Sequence, residues 1–220
     1  MKSQKIIAVA LLLALALLMA CAPAPTPTPQ PTAVPTHTAV PATPTSSAIT
    51  VTDSANRSVT ITAAPKRIIS LAPSTTEIAF ALGLGERVVA ADTFSDYPAD
   101  AKKVATIKTF PLNLEQIVAL KPDLVLAAGI TSPYDVKKMS DLKLTVLVVG
   151  APVTTFDSVF ADIALVGKAT GTDAKAKTVG DAMKQKLDAL KTKVATAKTK
   201  PRVFWELDAT DPAKPYAPGP

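Results

Sequence analysis

The sequence predicts an α/β fold built on a parallel sheet, and three observations indicate it. Between residues 67 and 150, short apolar runs alternate with segments whose apolar residues recur at helical spacing. The runs are continuously apolar, which is typical of parallel strands that are buried on both faces. Residues that start and stop helices lie between the runs, as helical crossovers require. We therefore expect parallel strands joined by helices that cover both faces of the sheet.

A small hairpin is expected ahead of this sheet. Residues 48–62 alternate apolar and polar positions around a turn at Ser54-Ala55-Asn56, which is the pattern of two short paired strands. Pro65 then separates the hairpin from the sheet. The strands of the sheet are predicted at 67–71, 87–91, 123–127 and 144–149.

The first helix of the sheet is predicted from residues at its two ends. Ser74 and Glu77 have the spacing of a capping box, in which each side chain bonds to the other residue's backbone amide. The helix should stop at Gly83 or Gly85, because a glycine adopts a left-handed cap without steric cost.

The next two helices have similar signals. Asn113 repeats the capping-box spacing, and its helix must end before Pro122. Ser132-Pro133 combines a favourable N-cap with proline at the first helical position, and opens a helix that runs to about residue 142.

A long helix is predicted downstream of the sheet. A helix at 155–168 leads through Gly171 to a second helical start at Thr172. From there one narrow apolar stripe extends over roughly 25 residues, or about 38 Å of helix. The stripe consists of Val179, Met183, Leu187, Leu190 and Val194. We expect it to be buried and the helix to brace the domain, ending at Pro201 before a new strand at 202–207.

The N-terminal residues resemble a secretory signal and a spacer rather than a folded core. Lys2 and Lys5 precede fifteen apolar residues, a run too short for a comfortable membrane span. Cys21 follows and is the single cysteine, which excludes an intrachain disulfide. Residues 22–47 contain eight prolines among Thr and Ala, and should form a semi-rigid spacer. His37 lies in this spacer, where we expect no ligand role.

The net charge of +6 depends largely on one stretch. Residues 168–202 hold ten basic and three acidic side chains, interleaved with Ala rather than with aromatic residues or Arg. Surfaces that bind nucleic acids favour aromatic residues or Arg among their basic side chains. We interpret this stretch as a solvated helix surface and expect no nucleic-acid partner.

The side-chain chemistry does not favour an enzyme or a metal site. The sequence contains no GxSxG elbow, P-loop or GxGxxG, and the part expected to fold contains no histidine or cysteine. A standard catalytic triad is therefore excluded, although carboxylates and hydroxyls leave an enzyme as an open alternative. A zinc or manganese receptor would need histidines or clustered carboxylates. We expect no catalytic residue, no metal site and no resident cofactor.

Several motifs, in their order, resemble one family of transport receptors. They are LMAC at the end of the signal, RIISLAPSTTEIAFALGLGERVVAAD, SDYPADAKK, LEQIVALKPDLVLAAG and the long helix before VFWEL. The first resembles a bacterial lipobox. The set as a whole is similar to substrate-binding lipoproteins of ABC importers, in the helical-backbone class that binds cobalamin, haem and iron–siderophore complexes. The cobalamin-binding type is the most similar.

The resemblance implies a periplasmic-binding-protein fold in which one long helix joins two α/β lobes and the ligand lies between them. Only the first lobe, this helix and the first strand of the second lobe would be present, so we expect a C-terminally truncated sequence. The implied segments are a signal peptide at 1–20, a tether at 21–47, the first lobe at 48–168, the inter-lobe helix at 169–200 and the start of the second lobe at 201–220.

The resemblance also implies the ligand contacts. Phe94 matches an aromatic contact two residues before the DYP motif, and Phe110 lies near the position of a cleft tryptophan. Trp205 would face the cleft from the second lobe. The predicted ligand-binding residues are Ser74, Phe94, Tyr97, Phe110, Gly129 and Trp205, with ordinary packing as the alternative for each aromatic side chain.

One departure from the family affects the choice of ligand. Relatives of the cobalamin-binding type can carry a second large aromatic residue after the PDLV strand, where this chain has Ala128-Gly129. The floor of the pocket is therefore expected to be more open. A different corrinoid or an iron chelate remains an alternative ligand.

The resemblance finally implies partners and a location. Glu115 corresponds to the glutamate that docks onto permease arginines through paired hydrogen bonds, with a favourable helix-dipole position as the alternative. Cys21 would be lipidated after cleavage and anchor a monomeric receptor to the outer face of the cell membrane. The partners would be an ABC permease with its ATPase and a ligand such as cobalamin, haem or a ferric siderophore. A haem or ferric-siderophore receptor of the same class and a surface lipoprotein without transport function are the alternatives.

Overall fold

The computed structural model describes residues 48–150, 154–199 and 201–202. The strands are β1 (Ile49–Thr52), β2 (Ser58–Ile61), β3 (Ile68–Ser70), β4 (Val88–Asp92), β5 (Ala105–Ile107), β6 (Leu124–Ala128) and β7 (Val146–Val149). The helices are α1 (Pro73–Ala81), α2 (Leu114–Ala119), α3 (Pro133–Asp141), α4 (Phe156–Thr170) and α5 (Asp173–Ala195). None of the helices in these ranges has the length and apolarity needed to cross a membrane.

The predicted α/β class is confirmed. β1 and β2 form the expected antiparallel hairpin, and the other five strands form a parallel sheet in the order β5-β4-β3-β6-β7. The chain builds the sheet outward from β3 to β5, then crosses back to β6 and β7. This reversal lies between β3 and β6, the position at which open α/β sheets form a crevice beyond the carboxyl ends of their strands.

Both faces of the sheet are buried, as the continuous apolar runs predict. Ile68, Leu124 and Leu147 pack on the face that α1, α4 and α5 cover. Val125 and Ile69 pack on the opposite face, against residues of α2 and α3. All five residues of β6 are buried, because this strand has a neighbouring strand on each side and helices above and below.

The start of α1 differs from the prediction, and the capping box at Ser74 is wrong. The N-cap is Ala72, proline occupies the first turn, and no side chain caps the helix. The hydroxyls of Thr75 and Thr76 instead donate to the Ala72 carbonyl oxygen, at 2.9 and 3.0 Å. The predicted stop is confirmed, since Gly83 after the helix has a φ of +77°.

The other helix starts follow the sequence more closely. The Ser132 hydroxyl caps α3 as predicted, with proline in the first turn. At α2, the Asn113 side chain accepts a hydrogen bond from the Gln116 amide, but the capping box is only half formed. The Gln116 side chain donates to the Thr106 carbonyl oxygen at 2.7 Å rather than returning to the cap.

The apolar stripe of α5 is not buried as expected. Ala176 is buried and Val179 is half-buried, whereas Leu190 and Val194 are 59 % and 71 % exposed. The two helices first meet where Ala176 of α5 lies against Gly167, near the end of α4. Lys184 already lies over the Phe160 ring near the start of α4, so the last turns of the longer helix α5 extend beyond α4, which cannot cover Leu190 and Val194.

The hairpin covers the outer edge of β7. The amide of Ser54 donates to the Val148 carbonyl oxygen at 3.0 Å, and the Val148 amide donates to the Asp53 carboxylate at 3.2 Å. The Arg57 guanidinium donates to the Val146 carbonyl oxygen at 2.9 Å. These bonds satisfy backbone groups that an edge strand would otherwise leave unpaired.

Candidate functional site

The predicted ligand-binding residues that the structure describes lie at one edge of the sheet. All five strands are parallel, so their carboxyl ends meet at the same edge. The segments that follow β3, β4, β5 and β6 carry, in turn, Ser74, Phe94 with Tyr97, Phe110, and Gly129. Trp205 and Cys21 lie outside the described residues.

The large apolar side chains at this edge are exposed. Phe94, Tyr97 and Phe110 are 66 %, 67 % and 63 % exposed, and Ile130 and Tyr134 after β6 are exposed to a similar degree. None of these side chains belongs to either buried core cluster. Ordinary core packing therefore does not account for them, and exposed apolar groups clustered at one edge are typical of an interaction surface.

A cavity of about 630 Å³, referred to below as the cleft, lies between α1, α4 and α5. The structure brings Ser74 and Tyr97 together in its wall, while Phe94 does not line it. Most of the wall is apolar, with Phe80, Val179 and Met183 among its members. A cavity of this size and composition is suited to part of a large, mainly apolar ligand.

The remaining predicted residues line two smaller cavities. Phe110 lines one of about 140 Å³ together with Ile130 and Asp135. Gly129 lines another of about 500 Å³ together with Arg57 and Lys137. The structure therefore distributes the predicted residues along one edge over three cavities rather than gathering them in a single pocket.

A buried network of hydroxyl groups holds the loop that carries Phe94. The Ser95 hydroxyl donates to the Asp92 carboxylate and lies 2.7 Å from the Thr76 hydroxyl. The Thr76 hydroxyl also lies 2.8 Å from the Ser70 hydroxyl, and the other Asp92 oxygen accepts a hydrogen bond from the Phe94 amide at 3.0 Å. The network ties the loop after β4 to the first turn of α1. Sequence reasoning missed it, although the Thr-Thr pair and the Asp at the end of β4 are visible signals.

Asp162 is a second residue that sequence reasoning missed. It lines the cleft from α4, and its Oδ1 accepts hydrogen bonds from the Gly150 amide at 3.0 Å and the Ser54 hydroxyl at 3.3 Å. Burial raises the pKa of its carboxyl group above the usual value, while these two hydrogen bonds oppose the rise. An acid in the middle of an amphipathic helix gives no sequence signal of such a position.

Glu115 lies near the same edge. It is exposed in the first turn of α2, and α2 follows the segment that carries Phe110. Across the described ranges, no group of three or more His, Cys, Asp or Glu side chains could hold a metal ion.

Comparisons with known proteins agree with this geometry. An ABC transporter substrate-binding lipoprotein of Bacillus subtilis, YvrC, which is named as uncharacterized, is 39 % identical over 151 residues, or 67 % of this chain and 48 % of the relative. The solved periplasmic vitamin B12 binding protein BtuF of Vibrio cholerae is 31 % identical, with a TM-score of 0.59 over 66 % of this chain and 56 % of that one.

A second solved structure extends the likeness. A possible iron-binding periplasmic solute-binding protein of Staphylococcus epidermidis has a TM-score of 0.59 and 30 % identity, covering 67 % of this chain and 58 % of that one. The chain thus spans about half the length of the relatives it matches.

The family comparison completes the assignment and confirms the resemblance inferred from the motifs. The profile of the family described as Periplasmic binding protein matches residues 68–220, which include every element from β3 onward. The parallel sheet and its covering helices are also those of the solved relatives. The chain belongs to the periplasmic binding protein family.

Proposed function

We propose that this protein is the extracytoplasmic receptor of an ABC importer, which captures a corrinoid or an iron chelate and delivers it to a membrane permease. The observation that carries the proposal is the set of exposed aromatic side chains at the carboxyl edge, beside a large apolar cleft. Flat aromatic rings provide large contact areas for the apolar face of a macrocycle. Binding, rather than a reaction, is the proposed activity.

The relatives support this choice of ligand. The Vibrio cholerae protein is named for vitamin B12 and the Staphylococcus epidermidis protein for iron. The open carboxyl edge, with Gly129 after β6 rather than a large side chain, leaves space for either type of ligand. We place corrinoids first and haem or ferric siderophores second.

Fluorescence titration tests the ligand. Trp205 is the single tryptophan, and we expect cyanocobalamin, haem or a ferric siderophore to quench it saturably. Phe94→Ala and Phe110→Ala should weaken that binding, because each removes an exposed ring from the carboxyl edge. Leu142→Ala removes an exposed apolar side chain at the end of α3, shortly before β7 begins at the opposite edge of the sheet, and should leave binding unchanged.

Thermal melting separates a receptor from a surface lipoprotein without a ligand. A ligand that binds only the folded state raises the melting temperature in proportion to the logarithm of its concentration. We expect such a rise with at least one of the three probes. If none of them changes either melting or fluorescence, the receptor proposal is wrong.

Delivery to a permease is assigned to Glu115. An exposed carboxylate at the start of α2 can form paired hydrogen bonds with an arginine of the partner. Glu115→Arg should reduce ligand uptake by cells while the affinity of the purified protein stays the same. Glu86→Arg is the matched control, because Glu86 is an exposed acid in the short turn before β4, at the opposite edge of the sheet. Unchanged uptake by Glu115→Arg would refute the docking role.

Membrane attachment is assigned to lipidation of Cys21, the single cysteine, which follows the predicted signal. The lipoprotein name of the Bacillus subtilis relative supports it. Cys21→Ala should move the protein from the membrane fraction to the soluble extracytoplasmic fraction. Retention of this variant in the membrane fraction would contradict the anchor.

A further inference from the structure

The charge of the cleft restricts which ligands fit it. Among the described residues, the charged members of its wall are Glu77, Asp100 and Asp162, and none of the wall residues is basic. Asp100 is paired with Lys103 at 2.6 Å. Within the described part of the chain, Glu77 and Asp162 have no ion-pair partner. A ligand group that enters the cleft therefore meets two carboxylates whose charge no neighbouring cation balances.

Asp162 also has an acceptor that the protein leaves unused. Both of its hydrogen bonds, from Gly150 and Ser54, end on Oδ1. Among the described residues, no group donates to Oδ2. Because the side chain is half-buried in a mostly apolar wall, a donor on the ligand would meet an acceptor that is partly shielded from water.

The basic side chains near the carboxyl edge lie outside the cleft. Lys108 follows β5 and precedes Phe110, and it does not line the cleft. Arg57 and Lys137 line the separate cavity beside Gly129, where each is paired with an aspartate. These side chains leave the charge of the cleft itself negative.

Building on the proposed function, we propose that the cleft selects macrocyclic ligands whose peripheral groups are neutral or cationic hydrogen-bond donors, such as primary amides, and rejects ligands whose peripheral groups are carboxylates. An amide N–H can donate to Glu77 or to the free Oδ2 of Asp162, and hydrogen bonds to an ionised acceptor are the stronger kind. A ligand carboxylate at the same place would be repelled by a like charge in a partly desolvated wall.

Two derivatives with the same corrin ring test the inference, because they differ in the groups around the ring rather than in the ring itself. Cobinamide carries primary amides around the ring, and cobyrinic acid carries carboxylates at the same positions. Isothermal titration of the full chain should show at least about tenfold tighter binding of the amide form. In the Glu77→Gln, Asp162→Asn double variant, the ratio of the two dissociation constants should be smaller than in the wild type. Asp157→Asn is the control, because Asp157 is an exposed acid of α4 outside the cleft, and should keep the preference of the wild type.

The outcomes distinguish this inference from the proposed function. Equal or tighter binding of the carboxylate form by the wild type overturns the charge selection and leaves the receptor proposal intact. Binding of neither form, together with no response to haem or a ferric siderophore, overturns the receptor proposal itself. A folded double variant with an unchanged preference also overturns the inference. Should the double variant not fold, the ratio measured for the wild type decides.

Discussion

The contact between α4 and α5 leads to a sharp prediction about stability. A Cβ atom built on Gly167 of α4 would lie 2.4 Å from the Cβ of Ala176 in α5. Carbon atoms in contact normally remain about 3.5–4.0 Å apart, so Gly167→Ala must separate the two helices by about 1 Å. The Cβ of Ala176 cannot rotate aside, because it is fixed to the backbone of α5.

Two opposing effects set the size of the change. Alanine is better than glycine inside a helix by about 1 kcal/mol, whereas overpacking a close contact costs about 1–3 kcal/mol. The overlap of about 1 Å places the cost of overpacking near the upper end of that range, at about 3 kcal/mol. After the gain of about 1 kcal/mol in helix propensity, we expect a net loss of about 2 kcal/mol in the free energy of unfolding. Gly180→Ala is the matched control, since nothing lies within 4 Å of a Cβ at that position of α5. It should gain up to about 1 kcal/mol from helix propensity alone.

Urea denaturation measures both changes in stability, provided that the dependence of the unfolding free energy on urea concentration (the m-value) is the same in all variants. The two glycine variants should shift the midpoint in opposite directions relative to the wild type. Adding Ala176→Gly to Gly167→Ala should recover part of the lost stability, because it removes the other atom of the clash. If Gly167→Ala is as stable as the wild type, or if the second substitution recovers nothing, the close packing of α4 and α5 is not what stabilises this contact.

Three further substitutions probe the hairpin, the loop after β4 and the cleft. Asp53→Ala should lower the free energy of unfolding by about 3 kcal/mol in denaturation experiments, because it leaves the Arg57 guanidinium and a strand amide without their buried carboxylate. Ser95→Ala should cost about 1–3 kcal/mol by leaving buried polar partners unpaired, and should speed hydrogen exchange at the Phe94 amide more than in the sheet. The pKa of Asp162 is raised in the folded state, so the folded protein holds this proton more tightly than the unfolded chain does. The contribution of Asp162 to stability is therefore highest below pH 3.8 and falls as the pH rises through the folded-state pKa. Subtracting the pH profile of Asp162→Asn from that of the wild type should show this fall, and a difference that does not vary with pH would contradict it.

The sheet and the helix ends were predictable where the signal is local. The run at 124–128 is apolar throughout, and it forms a strand that is buried on both faces. Ser132-Pro133 starts α3 at the expected residue, because the cap depends only on neighbouring amides. β5 was not predicted, since it has only three residues and two of them are exposed. Such a strand is defined by its pairing with β4 rather than by its own apolar pattern.

The candidate site was predictable in part. The edge could be located because residues that follow parallel strands meet there, and Ser74 and Phe94 follow two strands that the sequence predicts. Phe110 could not be placed in this way, because the strand before it was not predicted. The contacts within the site could not be predicted, because they join residues far apart in the sequence. The Asp162 carboxylate bonds to Ser54, 108 residues away, and the Thr76 hydroxyl to Ser95, 19 residues away. No periodicity or capping signal relates such pairs.

The hydrogen bonds at the lateral edges of the sheet support the proposal that a ligand is recognised at the carboxyl edge. Exposed edge strands can bind another chain by adding a strand, through their free N–H and C=O groups. At β7, the Val148 amide and carbonyl groups already bond to Asp53 and Ser54 of the hairpin. At β5, the Thr106 carbonyl oxygen accepts a hydrogen bond from the Gln116 side chain. With these groups engaged, strand addition would have to break existing hydrogen bonds, whereas the exposed aromatic side chains beyond the strands could bind a ligand without such a cost. A fold with engaged lateral edges and open aromatic rings at its carboxyl edge is therefore suited to a compact ligand rather than to an extended peptide.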